Sequence, residues 1–242
     1  MKLKNFTPVY YINLEDNVDR RESMESQFIQ YDINFTKINA FDGRTDDLSE
    51  YIYGAYPGYD MSSSEVGASC SHLFTLKHWL ETSDSNYAII CEDDLDLSLC
   101  EYWNFTWEDF LINLPQDWDC IQLAIINNHP SHIIMNLHHR QWWDWSASCY
   151  MISRNFAKLL VEKYCKGNKF ALSSYPEKAV ADSIVYLNAK TYSINLFSYK
   201  TDFKSNIHQF HVEDSHVTSR NYVWNWWNSE GKTSNIQNLM KL

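Results

Sequence analysis

The stretch "YAIICEDDLDL", Tyr87 to Leu97, decides how this chain is read. Tyr87-Ala88-Ile89-Ile90-Cys91 is short, β-favouring and apolar, the composition of a central strand. It runs straight into Glu92, Asp93, Asp94 and Asp96. Side chains alternate along a strand, so continued extension would put Glu92, Asp94 and Asp96 on one face and Asp93 on the other. Carboxylates that close repel one another unless a cation intervenes. None is nearby in sequence: from His78 to His139 there is no Lys or Arg, while eleven acids lie between Glu81 and Asp119. The neutralising charge is folded in from elsewhere, or it is a metal ion.

Working outward, strands and helices alternate. Pro8–Leu14 reads as a first strand and Asn17–Tyr31 as a helix, with Met24, Phe28 and Tyr31 at helical spacing. "NFTKINAFDG" is a second strand that stops at the turn pair Asp42-Gly43. Ser62 stands three residues before Glu65, a capping box that opens the next helix. After the acid-ended strand come a short helix near Trp107–Leu114, the strands "DCIQLAI" and "WSASCYMIS", and a helix capped by Ser153. A helical stretch in "PEKAVADSIVYLNA" and a strand in "TYSINLFSY" follow. This order predicts an α/β fold with a mostly parallel central sheet. Ligands of such sheets bind beyond the carboxyl ends of the strands, where the acids fall.

With 242 residues, 45% of them hydrophobic and 16% aromatic, the chain can bury a substantial core. We expect a single domain over 1–242, with one half at about 8–140 and a second half plus tail at about 141–242. A net charge of −11 argues against general nucleic-acid binding, which needs basic surface. The six cysteines show no CxxC spacing, and Cys91, Cys120 and Cys149 fall inside predicted strands as small buried hydrophobes. The start carries no signal-peptide pattern and no apolar run is long enough to span a bilayer, so a soluble, cytoplasmic protein is expected.

An acidic loop that only aids solubility is the plain alternative for Glu92–Asp96. The chemical reading is a divalent-metal site: Mg²⁺ and Mn²⁺ take oxygen ligands, commonly one or two carboxylates plus substrate phosphates. An apolar strand followed by an acidic triplet is the arrangement of nucleotide-sugar glycosyltransferases, although nucleotidyltransferases and phosphohydrolases also end strands in acids. Further segments sharpen the resemblance. "VYYINLEDNVDRRESM", "FTKINAFDGR", "SEVGASCSHLFTLKHW", "AIICEDDLDL", "WSASCYMISRNFAKLL" and "VADSIVYL" occur in the order of the motifs of glycosyltransferase family 25, the lipopolysaccharide and collagen galactosyltransferase-like group. The resemblance spans about residues 8–210. Ala181 stands where Val is usual, and Ser146-Ala147 where the family has Gly-Thr, a change on the acceptor side.

The resemblance implies a GT-A-like, Rossmann-like domain that binds a UDP-sugar with Mn²⁺ or Mg²⁺. It places Asn13 and Leu14 beside a base or ribose, and Arg20 with Arg21 where guanidinium suits a diphosphate; two exposed helix residues are the alternative. Asp42 is expected near ribose or uracil, or as a turn former. Ser71 and His72 are expected to reach the donor, with a core-packed His72 as the rival. Glu92 and Asp93 would bond the ribose and Asp94 would ligate the metal, preferred to Asp96 because the Glu-Asp-Asp match stops there. The second ligand is expected to be His208, from among Asp202, His208, His211 and His216; a solvated tail is the alternative. Lys204 or Arg220 would neutralise the leaving diphosphate. Asp182 is expected to be the general base, flanked by apolar residues that lift its pKa, unless it merely caps its helix.

Six of the ten tryptophans sit in "RQWWDWSAS" and "YVWNWWNSE", as an acceptor-stacking surface, a core component or a dimer surface. The function expected is a metal-dependent, inverting transfer of galactose or glucose from a UDP-sugar to a glycan or hydroxylated acceptor. The alternative is an inactive module of the same fold that binds a sugar or nucleotide-sugar. A nucleotidyltransferase is disfavoured because "INLEDNVDRR" lacks a glycine.

Overall fold

The apolar run at Tyr87 becomes an interior strand covered on both faces, as its composition requires. The computed structural model describes residues 2–57, 60–127, 129–173, 178–202 and 215–242. Among these the strands are β1 (Val9–Asn13), β2 (Phe35–Asn39), β3 (Tyr87–Glu92), β4 (Leu95–Asp96), β5 (Cys120–Gln122) and β6 (His138–His139). They continue with β7 (Cys149–Ser153), β8 (Cys165–Lys166), β9 (Lys169–Phe170), β10 (Thr191–Ser193) and β11 (Ser198–Tyr199). The helices are α1 (Val18–Gln30), α2 (Ser63–Thr82), α3 (Trp107–Ile112), α4 (Arg154–Tyr164), α5 (Ala181–Tyr186), α6 (Val217–Asn228) and α7 (Ile236–Leu239).

Seven strands form the main sheet in the order β2-β1-β3-β7-β5-β10-β6. β1, β2, β3, β5 and β10 share one direction, so the expected mostly parallel sheet is observed. β7 runs antiparallel between β3 and β5, and β6 runs antiparallel at the edge. From β1 the chain crosses to β2 on one side and then returns through α2 to β3 on the other. That reversal opens a crevice at the carboxyl ends of β1 and β3.

Alternation along the strands divides the core. Tyr11, Ile89 and Cys91 pack with Met24 and Phe28 of α1, Trp107 and Phe110 of α3, and Val223 and Trp227 of α6. Tyr10, Ile12, Ala88 and Ile90 pack with Val66, Cys70 and Leu73 of α2, Phe156 and Leu160 of α4, and Ile184 of α5. The three strand cysteines are fully buried, as predicted. Trp227 is buried and Trp224 and Trp226 pack partly buried against the core, whereas Trp142 and Trp145 are exposed.

Local signals hold closely. Ser62 Oγ accepts from Glu65 N–H at 3.2 Å and Glu65 Oε2 accepts from Ser62 N–H at 2.7 Å, completing the capping box. Ser153 caps α4 through Phe156 N–H at 3.3 Å. Three expectations change. β3 ends at Glu92 and the chain turns, so the acids do not continue its alternation. The helix expected in "PEKAVADSIVYLNA" is confined, among the described residues, to Ala181–Tyr186. The "TYSINLFSY" strand is two short strands, β10 in the main sheet and β11 paired with β4. No described helix is long and apolar enough to cross a membrane.

The first turn of α2 lies directly against the loop after β2. A Cβ on Gly43 would stand 1.8 Å from the Ser63 carbonyl oxygen, and one on Gly67 would stand 2.6 Å from that of Phe41. These glycines permit backbone contact between two walls of the crevice.

Candidate functional site

A cleft of about 650 Å³, counting its open mouth, occupies the crevice. Leu14 contributes from the end of β1, Asn17 and Arg20 from α1, and Phe41, Asp42 and Arg44 from the loop after β2. Ser71 and His72 of α2 and Glu92, Asp93 and Asp94 from the end of β3 complete it.

Arg20, folded in from α1, is the cation that the acid-only tract lacks. Its Nη1 lies 2.5 Å from Asp93 Oδ1 and 3.9 Å from Asp94 Oδ2, with side-chain exposures of 12% for Arg20 and 8% for Asp93. Arg20 is therefore no exposed helix residue, whereas Arg21 turns aside to the Glu15 carbonyl at 3.1 Å. Asn13, buried behind the acids, donates from Nδ2 to Asp93 Oδ2 at 2.8 Å. Both Asp93 oxygens thus accept protein hydrogen bonds, and Asp93 anchors α1 to β1 and β3.

Among the described residues, three carboxylates against the Arg20 guanidinium leave a formal excess of two negative charges around Glu92–Asp94. Asp94 bears most of the strain. Its Oδ1 is buried with no hydrogen-bond partner among the described residues, although the side chain as a whole is 24% exposed. Burial and the neighbouring Glu92 charge push its carboxyl up to about 7, against the pull of Arg20. Asn17 Nδ2, of a residue that also lines the cleft, is likewise buried and without a partner among the described residues. Asp96 differs: its Oδ1 accepts from Ser98 N–H at 3.0 Å and from the Ser98 hydroxyl at 2.5 Å, closing a local turn away from the cleft lining.

Several expected residues hold the walls. Ser71 Oγ accepts from Phe41 N–H at 2.9 Å and donates to the Gly67 carbonyl at 2.7 Å, so its hydroxyl ties α2 to the β2 loop. Asp42 accepts from Arg44 at Oδ1 (2.8 Å from Nε) and Oδ2 (2.6 Å from Nη2). Hydrogen bonding to Arg44 holds its carboxyl below the usual range. His72, 1% exposed, bridges Tyr150 and Glu92, so the buried position expected of a core histidine coincides with contact to a cleft acid.

Asp182 does not cap its helix. The N-cap of α5 is Val180, and Asp182 Oδ2 instead accepts from Ser146 N–H at 2.6 Å. Burial raises its carboxyl, with the Ser146 bond opposing and the Glu92 charge adding to the rise. Ser146 has φ 90°, a left-handed conformation that favours glycine, the residue that the sequence resemblance leads one to expect there. Its carbonyl accepts from Gln122 Nε2 at 2.9 Å and from the Tyr186 hydroxyl at 3.0 Å, bonds that hold the unfavourable backbone in place.

On the metal side, Lys200 N–H donates to the Asp94 carbonyl at 2.7 Å, so the chain beyond β11 departs from the acidic corner. Asp202 is exposed and outside the cleft lining. His216 precedes α6 and its carbonyl accepts from the Tyr199 hydroxyl at 2.9 Å. His208, His211 and Lys204 lie outside the described residues. Arg220 Nη2 lies 4.0 Å from Asp96 Oδ2, not beside Asp94. Among the described residues no three His, Cys, Asp or Glu side chains converge as a metal-binding group. Sequence reading passed over Phe41, Arg44 and Asn17 in the lining and Tyr150 behind His72; of these, Arg44 carried a signal, as the residue after the Asp42-Gly43 turn.

Residues 6–110 match the profile of glycosyltransferase family 25, described as LPS biosynthesis protein. Procollagen galactosyltransferase 1-A of Xenopus laevis is 29% identical over 135 residues, which is 50% of this chain and 21% of that protein. The chain thus spans about a fifth of that relative's length. Two crystal structures of HddC from Yersinia pseudotuberculosis, one complexed with GMP-PN, align with TM-scores of 0.33 and 0.36. They share 8% and 10% identity, cover 88% and 87% of this chain and 76% and 98% of their own, and carry no functional weight.

Proposed function

We propose that this chain, whose residues 6–110 match the profile of glycosyltransferase family 25, transfers a hexose from a UDP-sugar to a hydroxyl acceptor with the help of a divalent ion. Galactose is the first sugar to test, because the Xenopus relative is a galactosyltransferase by name. One observation carries the reading: a buried carboxylate oxygen of Asp94 has no partner among the described residues, within an acid cluster beside Arg20, at the carboxyl end of a central strand.

Those residues fit Mn²⁺ or Mg²⁺. Asp94 supplies the hard oxygen, and such ions bind through one or two carboxylates plus substrate phosphates and water rather than an all-protein cage. When bound, the ion neutralises charge on the diphosphate. His208 remains the proposed second ligand. Glu92 accepts hydrogen bonds from donor hydroxyls; Leu14 and Phe41 offer apolar surface to the base. Arg44 lines the opposite wall as a further cation for phosphate, paired as it is with Asp42.

For the reaction, Asp182 takes the proton of the acceptor hydroxyl as that oxygen attacks the anomeric carbon. The bond from that carbon to the diphosphate oxygen breaks on the opposite face, and the diphosphate leaves with the electron pair. Raised by burial, Asp182 is a stronger base than an exposed aspartate. Displacement in one step inverts the anomeric configuration.

The test is release of UDP from UDP-galactose and UDP-glucose, with and without manganese, in the presence of hydroxylated acceptors. Manganese-dependent release with transfer to acceptor is expected. Tight binding without turnover would return the chain to the sugar-nucleotide-binding reading, and metal-independent turnover would remove the ion.

A further inference from the structure

We infer that Tyr150 acts through His72 to hold Glu92 as a fixed, hydroxyl-accepting carboxylate in the cleft, which makes Tyr150 a positioning residue for the sugar-nucleotide donor. This rests on the donor-binding reading above. Tyr150 lies in the reversed strand β7 and His72 in α2, with exposures of 0% and 1%. The Tyr150 hydroxyl is 3.0 Å from His72 Nδ1, and His72 Nε2 is 3.2 Å from Glu92 Oε1. The two rings lie 28° apart at 5.7 Å, so packing fixes the imidazole as well as the hydrogen bonds do.

Counting donors and acceptors settles where the protons sit. A neutral imidazole offers one N–H and one bare nitrogen. With the proton on Nδ1, bare Nε2 would face a carboxylate oxygen, two acceptors with nothing shared. With it on Nε2, the ring donates to Glu92 and the Tyr150 hydroxyl donates to Nδ1. A doubly protonated ring would leave the Tyr150 O–H without an acceptor, since among the described residues its hydroxyl has no other partner. A buried hydroxyl in that state is disfavoured. Burial pushes the Tyr150 phenol well up, so the group keeps the proton it must donate. One arrangement satisfies every atom.

The consequence falls on Glu92, whose side chain is 29% exposed and lines the cleft. Oε1 receives the imidazole N–H; Oε2 has no protein partner among the described residues. A carboxylate oxygen accepts, so a ligand meets it with a donated hydrogen, and the vicinal hydroxyls of a ribose or hexose supply one. Tyr150 thereby sets the direction of a bond it never makes itself.

The experiment has two arms. In the ligand-free protein, ¹H–¹⁵N correlation spectra of His72 are expected to show Nε2–H and bare Nδ1, and Tyr150→Phe to give a mixture of tautomers. Protonation on Nδ1, or on both nitrogens at neutral pH, overturns the inference. In the second arm, affinity for UDP-galactose is measured by calorimetry. Tyr150→Phe is expected to weaken it about fivefold to tenfold, the scale of one hydrogen bond between neutral groups. His72→Leu is expected to lose more than His72→Gln, because the amide can donate to Glu92 and accept from Tyr150. In the His72→Gln background, Tyr150→Phe should then weaken binding less than about twofold, since an amide has no second tautomer. Equal losses in both backgrounds would make Tyr150 a packing residue and overturn the inference. If the wild-type protein binds no UDP-galactose, the donor reading fails, while the spectra still decide the proton arrangement.

Discussion

Replacing Arg20 with Met tests the charge arrangement on which the site rests. The side chain is 12% exposed and bonds an Asp93 carboxylate that is 8% exposed at 2.5 Å. Surface ion pairs contribute less than about 1 kcal/mol. Removing one partner of a buried pair costs about 3–5 kcal/mol, because the other charge is left uncompensated. Here the abandoned group is Asp93 beside Asp94 and Glu92, and among the described residues the Asn13 amide remains to stabilise it. We expect Arg20→Met to lower unfolding free energy by about 3–5 kcal/mol at neutral pH without divalent ions. In a chain of this length that corresponds to a fall in Tm of roughly 6–10 °C. Urea titration with unchanged m-value measures it. Arg20→Met combined with Asp93→Asn should recover more than half the loss, since removing both charges of a buried pair is often nearly neutral. A single-mutant loss below about 1 kcal/mol, or no recovery in the double mutant, would refute the claim that Arg20 neutralises this corner.

Three further outcomes follow from the same geometry. Asp94→Ala should abolish manganese-dependent affinity for UDP-sugars, seen by calorimetry with and without the ion; retained dependence would move the ligand elsewhere. Asp182→Asn should leave donor affinity intact and lower kcat by about 10²–10⁴-fold; because burial raises its carboxyl, wild-type kcat should climb with pH along an acid limb above the ordinary aspartate range. Gly67→Ala should force the β2 loop off α2, since its Cβ would meet the backbone of Phe41 at 2.6 Å and of Gly43 at 2.9 Å, costing about 1–3 kcal/mol together with donor affinity. Tm and a binding titration check both effects.

Much of this was legible from residues alone where the physics is local. Ser62 with Glu65 and Ser153 with Phe156 fix helix starts within four residues of chain, and both caps form where read. The acid-ended strand followed from apolar composition, and the missing local cation announced a long-range partner without naming it. Arg20 lies 73 residues from Asp93, and nothing in the helix that carries it distinguishes it from Arg21. Nor could sequence tell that Ser71 ties two walls together. "CYMIS" reads alike in either direction when both faces are buried, which is why the reversal of β7 was invisible. No helix was read at α6; its tryptophans left acceptor-stacking, core and dimer readings open, and Trp227 takes the core one, donating from Nε1 to the Asn195 carbonyl at 2.8 Å.

That reversal has a consequence for how such a molecule diversifies. A strand threaded against its neighbours begins where they finish, so the turn entering β7 arrives at the ligand end of the sheet: Ser148 offers its carbonyl to Glu92 N–H at 2.8 Å, and Ser146 meets Asp182. The loop feeding this turn displays Trp142 and Trp145, 71% and 43% exposed. Insertions or exchanges there would re-face the entrance on one flank and leave the floor laid down by β1, β2 and β3 untouched. Two specificities could drift separately on a single scaffold.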